Sequence, residues 1–165
     1  MFGLISTTHI TTGAALGLVI GAAIPDSLLA VPIAFGVGVL SHHVLDMIPH
    51  TDPGSYRKPD DLSPLNSRER IFAYADNALG TAIILAIFFT MQPSWAMLFG
   101  AAGGNFPDIF HHPNWWQAKT RAMFNGKYFH FHHKYHFTAR GNLIPLGVLT
   151  NAVLIIGSLW YILSQ

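Results

Sequence analysis

Residues 27–48, with the sequence SLLAVPIAFGVGVLSHHVLDMI, indicate the fold class, because an apolar run ends there in histidine and aspartate. About 20 mostly apolar residues cross the hydrocarbon core of a bilayer as an α-helix. Imidazole and carboxylate groups are costly near hydrocarbon, and where they occur they are typical of functional sites. The segment therefore predicts a transmembrane helix with reactive side chains at its C-terminal end.

The composition of the whole chain also indicates a membrane protein. Of its 165 residues, 51% are hydrophobic and 10% are charged, and the mean hydropathy is +0.37. Soluble domains usually carry about 25% charged residues. The net charge of +1 provides no general attraction to nucleic acid, so none is expected as a partner. The absence of cysteine excludes disulfides and thiolate metal sites.

The apolar pattern predicts an all-α integral membrane bundle of about five transmembrane helices, in a single domain over residues 1–165. The N-terminus lacks the basic start of a secretory signal, so the first segment is expected to remain as a helix. The fourth segment is short and rich in glycine, which lets backbones approach, so it is expected to be central. The predicted helices cover 6–24, 27–48, 71–90, 94–109 and 143–163, and the long loops cover 49–70 and 110–142.

All nine lysine and arginine residues fall in these two long loops. With five spans, the loops and the N-terminus lie on one side of the membrane. The positive-inside rule makes that side cytoplasmic. The same alternation of helices gathers histidines and aspartates that are distant in sequence at the cytoplasmic ends of the helices.

Imidazole and carboxylate are common protein ligands of divalent metals. Asp46, Asp76 and Asp108 each lie about one turn inside an apolar segment that contains no lysine or arginine. A metal ion or a proton must therefore neutralise them. The surplus of histidine favours metal. The predicted metal ligands are His9, His42, His43, Asp46, Asp76, Asp108 and His112.

Helical spacing supports chelation within this set. His42 and Asp46 are four residues apart, so they share one face of a helix. Of the adjacent histidines His42 and His43, only one is expected to face a given site. The expected cofactor is Zn²⁺, and iron is the alternative. The supply of ligands exceeds what one tetrahedral zinc ion needs, so a site for two or more ions is possible.

Other polar residues have simpler explanations. Asp26 follows a proline between two apolar segments and is expected to cap a helix. His50, Asp52 and the pair Asp60–Asp61 lie in a loop rich in proline, glycine and serine, where side chains are usually solvated. A general acid for the leaving group is expected from three of the other histidines, His111, His132 and His136.

A resemblance to known proteins rests on four short motifs: Thr8-His9, Pro25-Asp26, His42-His43-x-x-Asp46 and Pro107-Asp108-x-x-His111. They resemble those of bacterial membrane-bound metal-dependent hydrolases, whose histidine and aspartate pattern is similar to that of zinc-dependent phospholipase C. The resemblance covers about the first two-thirds of the chain. It implies an inner-membrane location and metal binding by His9, the His42/His43–Asp46 group and Asp108. The Pro-Asp motif departs from this scheme, because the predicted topology puts Asp26 on the opposite side of the membrane.

Three functions fit these features. The first is a membrane-embedded metal-dependent hydrolase of a phosphoester or lipid-like substrate, in which Lys127, Lys134 or Arg140 orients a phosphate. The second is a non-haem di-iron hydroxylase or desaturase, because His132-His133-x-x-His136 resembles a histidine box of those enzymes. The third is a non-catalytic metal-binding membrane protein. In all three cases the lipid bilayer is the expected partner.

Overall fold

The computed structural model describes residues 5–57, 65–91, 93–111 and 126–165. Within these ranges the chain is helical, apart from short connections. The α-helices are α1 (Ile5–Ala23), α2 (Ser27–Asp46), α3 (Ser67–Thr90), α4 (Trp95–His111), α5 (Lys127–Tyr135) and α6 (Ile144–Leu163), and two 3-10 helices cover Pro53–Tyr56 and Gly141–Leu143.

Four helical segments are long and apolar enough to cross a membrane: α1, α2, α3 and Gly141–Leu163, which contains α6. Large apolar side chains on their outer faces are exposed, for example Leu28, Phe89 and Trp160. Such exposure over several helices is typical of surfaces that contact lipid. The predicted all-α membrane bundle is therefore confirmed. The predicted count of five spans is not confirmed, because α4 has only 17 residues, which is at the lower limit of spanning length.

The glycine-rich helix α4 is central, as predicted, and packs between α1 and α2. A Cβ at Gly100 would overlap the carbonyl oxygen of Gly13 on α1, and one at Gly103 would overlap that of Phe35 on α2. Small residues of this kind allow helix backbones to touch. The contact brings the C-terminal ends of α2 and α4 beside the N-terminal half of α1.

Local capping explains two of the helix boundaries. Asp26 caps α2 by accepting a hydrogen bond from the amide of Leu28 at 2.9 Å, which confirms its predicted role. α3 begins at Ser67 instead of residue 71, because Asn66 and Glu69 form a reciprocal capping box. The first turn of α3 is therefore polar, and a search for apolar residues alone does not detect it.

The residues just after α2 pair through backbone hydrogen bonds with the residues just after α5. The helix α5 and this second segment both lie inside the predicted loop 110–142. The amide of Phe137 donates to the carbonyl of Asp46 at 2.6 Å, and the amide of Ala139 donates to that of His50 at 2.7 Å. These backbone bonds hold α5 and its histidines against the end of α2.

The loop after α2 is also held by α6, and this corrects the prediction that His50 and Asp52 are solvated; Asp60 and Asp61 lie outside the described residues. Asn151 of α6 donates to the carbonyl oxygen of Thr51 at 3.0 Å. His50 is 3% exposed and Asp52 is 8% exposed. Both side chains are therefore buried beside the end of α2.

Candidate metal centre

The carboxylate of Asp46, at the end of α2, lies among histidines from three helices. Its Oδ1 is 3.1 Å from Nε2 of His9 on α1, and its Oδ2 is 3.2 Å from Nε2 of His42 and 2.9 Å from Nε2 of His132 on α5. The side chains of His9, His42 and Asp46 are almost completely buried. Three imidazole nitrogens are thus directed at one carboxylate.

The spacing of these atoms fits a shared metal ion. Protein nitrogen and oxygen ligands lie about 2.0–2.1 Å from Zn²⁺, so two of them are about 3.0 Å apart at a right angle and about 3.4 Å apart at the tetrahedral angle. Neither oxygen of Asp46 has a hydrogen-bond partner among the described residues, although imidazole nitrogens lie within 3.2 Å. Close approach without hydrogen-bond geometry is the arrangement expected of atoms that ligate the same ion.

A backbone carbonyl fixes the orientation of His42. Its Nδ1 lies 2.8 Å from the carbonyl oxygen of Gly104 on α4, so Nδ1 carries the proton and Nε2 presents its lone pair towards Asp46. Metal-ligating histidines commonly donate their second ring nitrogen to a carbonyl or carboxylate. A Cβ at Gly104 would overlap the carbonyl oxygen of His9, so the absence of a side chain here lets α4 approach α1.

Asp108 extends the group from α4. Its Oδ1 lies 3.8 Å from Nε2 of His42, and Asp108, His9 and His42 offer ligand atoms within 4.8 Å of one another. Two further groups of donors satisfy the same criterion: His42, His43, Asp46 and His132, and Asp46, His50 and His136. The group that contains His132 shares His42 with the Asp108 group and Asp46 with the His50 group, so together the three form one centre that could hold metal.

His43 lies beside this centre as well, whereas only one of the two adjacent histidines was expected to face a site. Its ring packs edge-on against Tyr128 and Phe131 of α5, with centroids 5.8 and 5.9 Å apart. Its Nε2 lies 3.5 Å from the hydroxyl of Tyr128. Burial and the carboxylates of Asp108 and Asp46 raise the pKa of Tyr128 to about 12, so this hydroxyl stays protonated.

Asp76 does not join the centre, which corrects the prediction that it is a metal ligand. Its Oδ2 accepts a hydrogen bond from the amide of Ser6 at 2.7 Å, and its Oδ1 accepts from the amide and hydroxyl of Thr7 at 3.3 and 2.6 Å. The first turn of a helix has unpaired N–H groups and a partial positive charge, which stabilise a carboxylate. Asp76 therefore caps α1, and it belongs to none of the three groups of donors.

The predicted general acids His132 and His136 lie among the potential ligands. Nε2 of His136 is 3.8 Å from Oδ1 of Asp46. Burial lowers the pKa of His136 to about 4, so its imidazole is neutral near neutral pH, which is the form that binds metal. His111 ends α4, and its side chain, like the whole of His112, lies outside the described residues. The roles of these two histidines stay predictions.

His50 and Asp52 are the members of this region that sequence reasoning missed. Thr138, just after α5, donates to Oδ2 of Asp52 at 2.5 Å and so links the two loops. One signal of their burial was Asn151, a polar residue inside an otherwise apolar span. Such a residue needs a hydrogen-bond partner, and it finds one in the loop that carries His50.

The chain was compared with family models, curated proteins and solved structures, and none of them matches it. The resemblance to bacterial membrane-bound metal-dependent hydrolases therefore stays a prediction from four short motifs. The geometry around Asp46 carries the functional argument instead.

Proposed function

We propose that the protein is a membrane-embedded, Zn²⁺-dependent hydrolase of a lipid-like phosphoester. The observation that supports it best is the approach of His9, His42 and His132 to Asp46, with Nε2–oxygen distances of 2.9–3.2 Å. A divalent ion supplies Lewis-acid chemistry at such a site, because it activates water and stabilises the negative charge of the transition state. Zn²⁺ is the metal that imidazole and carboxylate ligands commonly hold in hydrolases.

The residues around the centre have separate tasks in this proposal. Asp46, His42 and Asp108 would hold the metal at the buried side. Tyr128 stays protonated and can donate a hydrogen bond to a phosphoryl oxygen of the substrate. Lys127 and Lys134 are exposed on the same helix and attract an anionic headgroup.

A groove in the bundle supports a lipid as substrate. It has a volume of about 410 Å³. Its lining is mainly apolar and includes Ile10, Phe35, Ile84, Leu98 and Phe106. Asn105 also lines it and lies one helical turn before Asp108, so one end of the groove is close to the metal centre. An acyl chain in the groove would have its headgroup near the metal ligands.

The proposed location is the bacterial inner membrane, with α4 as a fifth crossing and the metal centre on the cytoplasmic side. The confinement of all nine basic residues to the two long loops supports it. Since the chain has no cysteine, single cysteines can report the topology. A cysteine at Ser67 should be labelled in inverted vesicles only, and one at Ser94 in intact spheroplasts; the reverse pattern would refute the orientation.

Metal analysis and phospholipid hydrolysis by the detergent-purified protein test the proposed function. We expect bound Zn²⁺ and release of a phosphorylated product in the wild type, and loss of both in Asp46→Ala and Asp108→Ala. His130→Ala is the matched control, because His130 lies on the exposed side of α5 and should leave both unchanged. A wild type without bound metal would refute the proposal. Bound iron without hydrolysis would favour a di-iron oxygenase, and bound zinc without any hydrolysis would favour a non-catalytic protein.

A further inference from the structure

We infer that the centre holds a second divalent ion, bound by Asp46, His50 and His136, and that the Asp46 carboxylate bridges the two ions. The inference rests on the proposed hydrolase site, because Asp46 belongs to both. The three residues offer ligand atoms within 4.8 Å of one another. His50 takes no part in the four motifs, and its loop position predicted solvation.

The strongest observation is a ring nitrogen of His50 that is buried without a partner. The residue is 3% exposed, and its Nδ1 lies 2.9 Å from the carbonyl oxygen of Ile48. A carbonyl oxygen only accepts hydrogen bonds, so Nδ1 carries the proton and Nε2 carries a lone pair. Nε2 has no hydrogen-bond partner in the part of the chain that the structure describes. Burying an unpaired polar atom costs free energy, and a metal ion at this nitrogen would offset that cost.

His136 faces the same place and is oriented by a chain of hydrogen bonds. Thr138 donates to Asp52, so the Thr138 oxygen accepts from Nδ1 of His136 at 3.2 Å. Nε2 of His136 then carries the lone pair on the side of Asp46. The rings of His136 and His50 meet edge to face, with centroids 4.7 Å apart. Histidine ligands of metals typically donate a hydrogen bond from their second ring nitrogen to a carboxylate or carbonyl group. Here the Thr138 hydroxyl links Nδ1 of His136 to the carboxylate of Asp52.

Asp46 has an oxygen for each ion. Its Oδ2 faces His42 and His132, at 3.2 and 2.9 Å from their Nε2 atoms. Its Oδ1 faces His136 at 3.8 Å and also contacts His9. Hydrolytic two-metal sites hold their ions about 3.5–4 Å apart, which one bridging carboxylate can span. A second ion would stabilise the leaving oxygen while the first serves the attacking one.

The metal stoichiometry of the full-length chain tests the inference. After saturation with Zn²⁺ and dialysis in detergent, we expect two ions per wild-type chain, one in His50→Ala and two in the control His130→Ala. One ion in the wild type, or two in His50→Ala, would overturn the second site and leave the proposed hydrolase site intact. No ion in the wild type would overturn both, so the two failures are distinguishable.

A measurement on the wild type covers the case in which His50→Ala does not fold. The protein loaded with Mn²⁺ should give the electron paramagnetic resonance signal of a spin-coupled pair, because a carboxylate bridges the two ions. Only the six-line signal of isolated Mn²⁺ would contradict a bridged pair.

Discussion

Asp46 and Asp76 occupy similar places in the sequence pattern and have different partners in the structure. Both are buried carboxylates of apolar helices, 3% and 6% exposed. Asp46 is the last residue of α2, and Asp76 lies in the first half of α3. Asp76 accepts hydrogen bonds from Ser6 and Thr7 at the start of α1, whereas Asp46 faces imidazole nitrogens without hydrogen-bonding to them. Burial of a carboxylate therefore shows only that it needs a partner. The chemistry of that partner separates a helix cap from a metal ligand.

The same helix, α1, meets both carboxylates. Its first residues bind Asp76, and His9 reaches Asp46. Two glycines let the neighbouring helices approach at these points, because a Cβ at Gly80 of α3 or at Gly104 of α4 would overlap the backbone of α1. Matched substitutions can therefore disturb one carboxylate and leave the other in place.

Removal of each carboxylate should give the largest contrast. Asp46→Ala should lower the affinity for Zn²⁺ by more than about 100-fold, because it removes a ligand that two donor groups share. Asp76→Ala should leave the affinity nearly unchanged and lower the free energy of unfolding by about 3 kcal/mol, since buried donors of α1 lose a charged acceptor. Zn²⁺ titration and denaturant unfolding in micelles measure the two effects. An equal loss of metal in both variants would contradict the separate roles.

Chelation should distinguish the same two carboxylates through thermal stability. A ligand present at 100 times its Kd stabilises the folded state by about 2.7 kcal/mol. EDTA should therefore lower the Tm of the wild type and of Asp76→Ala, and it should leave the Tm of Asp46→Ala unchanged. Thermal unfolding followed by circular dichroism, with and without EDTA, measures this. A wild-type Tm that does not respond to EDTA would argue against bound metal.

The two glycine contacts should differ in the same way. Gly104→Ala should cost about 2 kcal/mol of stability and also weaken Zn²⁺ binding about 10-fold, because the added methyl displaces His9 and the carbonyl that orients His42. Gly80→Ala should cost similar stability and keep metal affinity. Gly36→Ala is the control, because nothing lies within 4 Å of a Cβ there. Wild-type metal affinity in Gly104→Ala would show that α4 does not position the centre.

The smallest effect is expected from a single hydroxyl. Thr7→Val removes the hydroxyl that donates to Asp76 at 2.6 Å, and it should cost about 1–2 kcal/mol with no change in metal binding. Thr150→Val is the matched control, since that hydroxyl is exposed and bonds only within its own helix. Denaturant midpoints of the two variants provide the comparison, and equal midpoints would show that the Thr7 hydroxyl does not stabilise Asp76.

The helices and the meeting of His9, Asp46 and Asp108 could be predicted because they depend on local properties. Apolar length locates a candidate span, and Asp26 caps the helix that follows it. The expected alternation of helices also predicted that the C-terminal ends of α2 and α4 meet the start of α1, where the structure brings Asp46 close to His9. Glycine content also predicted the central place of α4. Helix length, capping and glycine content can be read from the sequence without knowing which side chains are in contact in the folded protein.

The remaining features depend on contacts between distant parts of the chain. The role of Asp76 follows from the helix terminus that lies beside it, and nothing near residue 76 specifies this. The burial of His50 likewise follows from backbone bonds to residue 139 and from Asn151 on the last helix. The proline, glycine and serine content of this loop predicted that it is solvated. Such a loop is buried only when other segments form hydrogen bonds with its backbone groups.

X-ray absorption at the zinc edge of the purified, Zn²⁺-loaded protein tests the metal centre most directly. We expect a first shell of nitrogen and oxygen at about 2.0–2.1 Å with the outer-shell scattering of several imidazole rings, and we expect Asp46→Ala to lose it. A first shell of oxygen alone, without imidazole scattering, would contradict the convergence of His9, His42 and His132 on a bound ion.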